Sequence, residues 1–237
     1  MDSVLNRFPK KRPRLPHATE TIFNEFYSKN RSSSISQTLE SWLHKSIKGR
    51  HEANKKTLEI GAGTLNHLNY ENLDEKNYDI IEPKEFLFRK NKNLSKINKI
   101  YKNLSSCPNN FYERIISCAV LEHLTDLPQI IALSGLKITN SGYQSHSIPC
   151  EGYAMWNISW FIFSGASFWY KYKQSFKHIA NHEHINNFDE IIYICKYFYD
   201  IVNVKYSYPF YTKHLAFFSN IELRKPKINV IKNYLYK

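Results

Sequence analysis

The most constraining feature of this sequence is a pair of glycines, Gly61 and Gly63, directly after the short apolar segment Thr57–Ile60. The 237-residue chain holds only seven glycines, and two of them fall here. Glycine lets the backbone turn sharply and approach a ligand closely. Glu82 ends the next apolar segment, where a carboxylate can accept hydrogen bonds from both hydroxyls of a ribose. The spacing predicts a strand and turn that bind a ribose-containing ligand; a purely structural tight turn is the alternative.

Short apolar strands alternate with helical segments around this turn. Such alternation predicts strand–helix–strand units and a largely parallel sheet. One predicted helix, over 125–138, has Pro128 in its first turn. Another begins at Asn187, with Glu190 three residues later as in a capping box. The predicted strands cover residues 57–60, 78–83, 96–102, 113–120, 143–149, 201–207 and 214–223.

Two parts of the chain depart from the alternation. Residues 1–50 are predicted to form an N-terminal extension, in which a basic arm, expected to be extended and poorly ordered, precedes helices over about 18–30 and 35–48. Residues 51–237 are predicted to form the main domain. Within it, residues 151–187 hold three of the four tryptophans and a histidine-rich run, and we expect them to form a lid inserted after the fifth strand.

Composition excludes several classes of protein. No run of eighteen apolar residues occurs, which excludes a spanning helix, and no secretory signal peptide is expected because no apolar segment follows the N-terminal basic cluster. The four cysteines stand far apart, unlike those of a disulfide scaffold or zinc site, which favours a cytoplasmic location. The charge of +12 indicates either a polyanionic partner or the coding bias that also enriches Asn, Ile and Tyr.

Two classes of cofactor suit a glycine turn followed by an acid on the next strand: dinucleotides and S-adenosylmethionine. A dinucleotide site needs a further glycine where this chain has Asn66, so that a helix N-terminus meets the pyrophosphate. The string Glu59–Thr64 resembles the first motif of class I S-adenosylmethionine-dependent methyltransferases. The resemblance continues through Glu82 to the fourth-strand segment Ile116–Leu124, and it covers roughly residues 55–150.

This resemblance implies an α/β fold, a Rossmann-like mixed seven-stranded sheet flanked by helices, with S-adenosyl-L-methionine as cofactor. It implies that Glu59 and the turn of Gly61, Ala62 and Gly63 border the methionine part, and that Glu82 holds the ribose. The chain departs from the family at Leu65, where a third glycine is frequent. The other implied contacts are Asn103 and Leu104 with the adenine, and Ala119 and Val120 beneath the sulfonium.

Three strings more narrowly resemble methyltransferases found with bacterial surface-polysaccharide genes: Gly61–Leu68, Ser147–Gly152 and His182–Asn186. This implies methyl transfer to an oxygen of a sugar nucleotide, an oligosaccharide or a lipid-linked glycan, in the cytoplasm or at the inner face of the membrane. One alternative is an RNA methyltransferase that uses the basic surface, although the chain lacks the Asn/Asp-Pro-Pro-Tyr/Phe and catalytic-cysteine motifs of such enzymes. The other is a non-catalytic binding module.

Candidates for the acceptor side follow the later strands, because ligands bind outside the carboxyl ends of strands in an open sheet. Glu151 and His123 follow the fifth and fourth strands, and for His123 a helix cap is the alternative. His182 and His184, in the insertion, are the predicted bases for a sugar hydroxyl, with Glu151 as the next catalytic candidate. Structural hydrogen bonding and metal ligation are the alternatives for these histidines, and no metal site is assigned.

The aromatic stretch Met155–Phe163 has three interpretations. It forms the core of the lid, which is favoured, or a surface that stacks on sugars. Alternatively, with Lys171, Lys173 and Lys177 behind it, it makes a peripheral contact with a membrane.

Overall fold

The computed structural model describes residues 3–17, 19–20, 22, 34–49, 54–72, 77–159, 165–207 and 212–236. Within these residues seven strands form one sheet: β1 (Thr57–Ile60), β2 (Tyr78–Ile81), β3 (Lys99–Tyr101), β4 (Tyr112–Cys118), β5 (Ile138–Pro149), β6 (Tyr199–Tyr206) and β7 (Phe218–Pro226). Their order across the sheet is β3-β2-β1-β4-β5-β7-β6. Only β7 runs against the others, antiparallel to both β5 and β6. The predicted mixed seven-stranded sheet is confirmed.

The central strands β1 and β2 are buried along their whole length, as expected of parallel strands that are covered on both faces. Their register sets Ile60 beside Ile81, and the register of β4 and β5 sets Cys118 beside Ser147. Because parallel strands end at the same edge, the residues that follow β1, β2, β4 and β5 meet there. This edge is where the sequence predicts the site.

The connections between β1 and β4 contain, in their described parts, short 3-10 turns instead of the predicted helices. Asparagine and lysine dominate these connections, which lack an apolar stripe of helical spacing that could be buried. Asparagine side chains also compete with a helix for backbone groups; Asn91 Oδ1, for example, accepts from the N–H of Asn93. The turns are Asn66–Asn69, Glu85–Leu87, Lys92–Lys96 and Leu104–Ser106.

The α-helices of the described residues are α1 (Ser34–Ile47), α2 (Leu127–Lys137), α3 (Ala154–Ser159), α4 (Ala166–Tyr172), α5 (Lys177–Glu183), α6 (Phe188–Phe198) and α7 (Ile228–Leu235). Pro128 lies in the first turn of α2, and the Asn187 side chain accepts from the N–H of Glu190 at the start of α6, as predicted. Most of the helix predicted over 18–30 lies outside the described residues, as do residues 50–53 at the predicted domain boundary.

Helices α2, α6 and α7 share one apolar core with the sheet, which includes Ile131, Ile191 and Ile231. Helix α1 contacts the sheet at β4, β5 and β7. Helices α3, α4 and α5 belong to the predicted lid, of which residues 160–164 are outside the description. Among the described helices none has both the length and the apolar character needed to cross a membrane.

Candidate active site

The glycine turn after β1 has the backbone that only glycine adopts easily. Gly61 and Gly63 have φ values of +71° and +51°. A Cβ on Gly61 would come within 2.7 Å of Val120 Cγ2, whereas one on Gly63 would meet no atom within 4 Å. Gly61 is therefore required by the packing of Val120 against the turn, and Gly63 borders open space that a ligand can fill.

Leu65, the departure from the family pattern, keeps the backbone conformation that glycine favours. Its φ and ψ are 58° and 28°, in the left-handed region, which costs a side-chain-bearing residue about 1–2 kcal/mol. The side chain is fully buried in a cluster with Leu68 and Tyr78, and this burial offsets the strain. The path of the turn is thus preserved without the third glycine.

Glu82, the predicted ribose ligand, ties the end of β2 to the glycine turn. Its Oε2 accepts from the N–H of Gly63 at 2.9 Å and its Oε1 from the N–H of Lys84 at 3.0 Å. Each carboxylate oxygen has two lone pairs, so each can accept one further hydrogen bond. The two backbone contacts fix the carboxylate in an orientation compatible with the ribose role, which stays a prediction.

Glu59 lies in the protein interior. The side chain is 2% exposed, and its Oε2 accepts from the Tyr78 hydroxyl at 2.9 Å. Burial raises the pKa of Glu59 to about 8, although the hydrogen bond from Tyr78 opposes the shift. Ala62 is also buried. The predicted contact of these two residues with the methionine part remains a prediction.

The residues predicted to meet the adenine have local structural roles. Asn103 Oδ1 accepts from both the N–H and the hydroxyl of Ser106, so the oxygen assigned to the adenine amino group already caps a turn. The Leu104 side chain is buried in the core. Ala119, predicted beneath the sulfonium, has a positive φ of 51°, and its N–H donates to the carbonyl of Ser147. Their cofactor contacts remain predictions.

On the acceptor side, the structure brings Glu151 and His184 together. His184 Nδ1 lies 2.8 Å from Glu151 Oε2, and both side chains are about one-fifth exposed. Burial lowers the pKa of His184, but the hydrogen bond and charge of Glu151, with the charges of Glu122 and Glu183, more than compensate, so the net shift is upward. A histidine oriented in this way by a carboxylate is suited to accept a proton at its other ring nitrogen.

Glu122 is a site residue that sequence reasoning missed. It is 1% exposed, and its Oε2 has no hydrogen-bond partner among the described residues. Burial raises its pKa to about 7, and the nearby charge of His184 opposes the shift. The available signal was its position directly after β4, beside His123, whose ring meets that of His184 edge-on at 4.8 Å. A buried carboxyl with a perturbed pKa at this edge is a functional-site candidate.

His182 is held by the N-terminal segment. Its Nδ1 lies 2.7 Å from the carbonyl oxygen of Pro13, so one ring nitrogen is engaged outside the cavity. This geometry favours His184 over His182 as the base. The catalytic role of His182 stays a prediction.

The expectation of a poorly ordered basic arm is wrong for residues 5–13, which we call the strap. Leu5 is buried in the main core, and Lys10 pairs with Glu190. Arg12 donates to the carbonyl oxygens of His123 at 2.6 Å and His182 at 2.9 Å. The sequence shows only a run of cations. The strap is ordered because carbonyl and carboxylate oxygens from distant parts of the chain accept hydrogen bonds from these cations.

The lid lines a cavity of about 1030 Å³ beside the His184–Glu151 pair. Glu151 lies in its lining with Trp156, Trp169 and Tyr170. The Trp156 ring stacks on that of His184, with centroids 6.2 Å apart and planes inclined by 22°. Trp156 of the aromatic stretch thus contacts the candidate base. An aromatic cavity with a few polar side chains in its wall is the arrangement expected of a small-molecule site.

In the described ranges, no three His, Cys, Asp or Glu side chains are placed to hold a metal ion. In the histidine-rich run, His182 contacts the strap and His184 contacts Glu151.

Comparison with known proteins identifies the fold. No family model matches the chain, and no curated protein matches it. A solved S-adenosylmethionine-dependent methyltransferase from Archaeoglobus fulgidus is 15% identical, with a TM-score of 0.55 over 86% of this chain and 99% of that one. One from Thermotoga maritima is 12% identical, with a TM-score of 0.57 over 88% and 98%. The chain has the fold of the class I S-adenosylmethionine-dependent methyltransferases.

A third similar structure contains the cofactor. It is phosphoethanolamine N-methyltransferase 2 of Haemonchus contortus in complex with S-adenosyl-L-methionine, 10% identical, with a TM-score of 0.54 over 86% of this chain and 60% of that one. In the present chain, the open space at Gly63 and the Glu82 carboxylate fit such a ligand. Glu82 would hold the ribose and the glycine turn would border the methionine part.

Proposed function

We propose that this chain is an S-adenosylmethionine-dependent methyltransferase that methylates a sugar hydroxyl of a bacterial surface glycan. The observation that carries the proposal is the hydrogen bond between His184 and Glu151, because Glu151 lines the aromatic cavity and His184 stacks on Trp156, another lining residue. Glu151 follows β5, at the sheet edge that also carries the glycine turn and Glu82, and His184 of the lid contacts it there. A proton acceptor and a cofactor cradle at one edge are what methyl transfer to oxygen requires.

The proton chemistry follows from the orientation of His184. Bound S-adenosylmethionine supplies an electrophilic methyl group. When His184 donates its Nδ1–H to Glu151, its Nε2 carries the lone pair that takes the proton of the acceptor hydroxyl. Glu151 then stabilises the imidazolium that forms. Such general-base assistance contributes about 10²–10⁴-fold, and alignment of the two substrates adds to it.

The chemistry of the cavity supports a sugar acceptor. Trp156, Trp169 and Tyr170 supply apolar ring faces, and Asn181 and Lys177 add polar groups to the same lining. Flat aromatic faces with a few placed polar groups suit a ring that is apolar on one face and hydroxylated at its rim. The resemblance of three sequence strings to surface-polysaccharide methyltransferases points the same way.

A lipid-linked acceptor is favoured by the open side of the lid cavity, where two of its aromatic lining residues are exposed to solvent. Trp169 and Tyr170 on α4 are 59% and 77% exposed. Lys173 Nζ lies 4.7 Å from the Trp169 ring centroid, so aromatic rings and positive charge coincide. This is the composition of a peripheral contact with an anionic membrane. We propose that the lid meets the inner face of the membrane, where such an acceptor resides.

The contacts of the strap argue against RNA as the substrate. Lys10 and Arg12, two of the cations that suggested a polyanion-binding arm, are engaged by Glu190 and by backbone carbonyls. A non-catalytic module is disfavoured by the preserved backbone at Leu65 and the open space at Gly63.

The experiment is a methyl-transfer assay with labelled S-adenosylmethionine. The chain is incubated separately with sugar nucleotides, lipid-linked oligosaccharides and total RNA, and calorimetry measures cofactor binding in parallel. Label in a sugar fraction supports the proposal. Label in RNA would overturn the acceptor class, and absence of cofactor binding by the folded chain would overturn the enzyme itself.

A further inference from the structure

A second cavity, of about 420 Å³, lies between α1 and the face of strands β5, β6 and β7. We call it the basic groove. The lining that matters here consists of Trp42, Lys45, Lys48, Tyr143, Lys205 and Arg224. It shares no lining residue with the lid cavity, and neither the cofactor nor the acceptor roles above make use of it.

Positive charge dominates the groove. Three lysines and Arg224 line it against one carboxylate, that of Glu222. Glu222 is engaged, because its Oε1 accepts from Arg224 Nε at 2.8 Å. Among the described residues no carboxylate lies within ion-pair distance of Lys45, Lys48 or Lys205. All three lysines are exposed, so their ammonium groups are accessible to an anionic ligand that enters the groove.

Aromatic rings accompany these cations. Trp42, Tyr143 and Tyr206 are half-buried in the lining. The guanidinium carbon of Arg224 lies 4.8 Å from the Tyr143 ring centroid, which orients the guanidinium beside an aromatic surface. Ring faces bind planar bases by stacking.

The floor of the groove is polar and ordered. Asn220 Nδ2 donates to Ser145 Oγ at 2.8 Å, across β7 and β5, and both residues belong to the lining. Amide and hydroxyl groups held in place this way suit the hydroxyls and ring heteroatoms of a nucleoside. The volume is within the usual range of small-molecule sites, about 300–1,000 Å³.

The geometry points to the basic groove as a binding site for a nucleoside phosphate. The base lies against the aromatic rings, and the phosphates meet the lysines and Arg224. Lysine and arginine side chains make charge-assisted hydrogen bonds with phosphate oxygens, the strongest class of hydrogen bond in proteins. The site does not depend on the proposed methyl transfer, since its residues are separate.

The test is calorimetric titration of the full chain with uridine diphosphate, uridine and pyrophosphate. Uridine diphosphate avoids competition for a site shaped for adenosine. Lys205→Glu is the test variant and Lys99→Glu its matched control, because both are exposed lysines on edge strands, β6 and β3, and both lower the net charge by the same amount. Lys45→Glu repeats the test should Lys205→Glu fail to fold.

We expect uridine diphosphate to bind more tightly than either of its halves. Lys205→Glu and Lys45→Glu should each weaken that binding at least about tenfold and Lys99→Glu less than about twofold, since only the first two remove a direct phosphate contact. Equal losses in all variants, or no binding to the wild type, would overturn the proposal.

Two further results would move the ligand elsewhere. A loss confined to Lys177→Glu would place uridine diphosphate in the lid cavity, where Lys177 lies. Affinity for single-stranded RNA that grows with oligonucleotide length and exceeds that for uridine diphosphate would replace the nucleotide site by an extended polyanion surface.

Discussion

Two histidine–glutamate pairs in this protein lie in opposite surroundings. In the interior, His67 Nε2 lies 2.6 Å from Glu71 Oε1, and the two side chains are 0% and 4% exposed. At the edge of the sheet, His184 and Glu151 are 2.8 Å apart, and Glu151 lines a cavity. The interior pair has a third partner, Arg114, whose Nη2 donates to Glu71 at 2.5 Å.

The pKa shifts of the two histidines run in opposite directions. Burial lowers the pKa of His67 and outweighs the effect of Glu71. Burial also acts on His184, but the surrounding carboxylates prevail and raise its pKa. Arg114 compensates the negative charge of Glu71, whereas the His184–Glu151 pair has two further carboxylates near it, those of Glu122 and Glu183. The interior pair is thus completed by an arginine, whereas the edge pair reaches a cavity through Glu151, and it is for this pair that we propose proton transfer.

The largest expected effect concerns the edge pair. His184→Ala should lower turnover by about 10²–10⁴-fold, while cofactor affinity stays within about twofold, or about 0.4 kcal/mol. Initial rates with the labelled acceptor and calorimetry measure the two quantities. His67→Ala is the matched control, which should lower the melting temperature and spare the turnover of folded molecules.

His182→Ala should reduce turnover less than His184→Ala, because His182 is bound to the strap through Pro13. Full turnover of the His184 variant would contradict the proposed functional difference between the edge pair and the interior pair. Glu122 would then be the next candidate for the general base.

The interior pair should contribute to the free energy of unfolding. Arg114→Met leaves the Glu71 carboxylate buried without its cation, which should lower the free energy of unfolding by about 3–5 kcal/mol. Urea denaturation at neutral pH measures the change. The exposed pair of Arg89 and Glu85 supplies the control, because Arg89→Met should cost less than about 1 kcal/mol. Equal losses would mean that burial does not distinguish the two regions.

Glu82 tests a third environment, in which backbone N–H groups hold a carboxylate for a ligand. Glu82→Gln should weaken S-adenosylmethionine binding by about 1.5–3 kcal/mol, the range for a hydrogen bond to a charged group. The measurement is calorimetry, with exposed Glu85→Gln as the control. Unchanged affinity in a folded Glu82 variant would remove the ribose assignment.

The smallest expected effect is a displaced inflection in the pH dependence of turnover. Because the pKa of His184 is raised above 6.5, its neutral form, and with it the rate, should be lost as pH falls through a value above 6.5. Glu151→Gln removes the adjacent charge, so the inflection should move to lower pH. His123, Glu122 and Glu183 also face this histidine, and an inflection that does not move would assign it to one of them.

The stability of the fold should depend on pH in a more acidic range than turnover does. Burial alone would raise the pKa of Glu71, but hydrogen bonds from His67 and Arg114 lower it to about 2. A depressed pKa contributes stability that is complete above the ordinary value of 4.5 and is lost as pH falls toward 2. Glu71→Gln should therefore flatten the acid limb of a melting-temperature profile and leave the turnover inflection in place.

The sequence by itself determined the features that depend on neighbouring residues. Strand period, positive φ and helix capping each depend on a few consecutive residues. The sequence therefore predicts the apolar run of β1, the turn at Gly61 and the cap at Asn187. The mixed seven-stranded sheet followed from the resemblance to a known fold, whereas the order of its strands is seen only in the structure. The same local reasoning failed between β1 and β4, where the apolar periodicity is weak and the described residues of the connections form short turns instead of helices.

Only the tertiary structure decided which polar groups meet. Arg114 reaches Glu71 across 43 residues of chain, and Arg12 reaches His182 across 170. Neither the strap nor the burial of Glu122 has a signature in sequence spacing. Burial and distant partners set the pKa and the availability of each group. Those quantities exist only once the chain is folded, so the fold could be predicted further than the chemistry of its site.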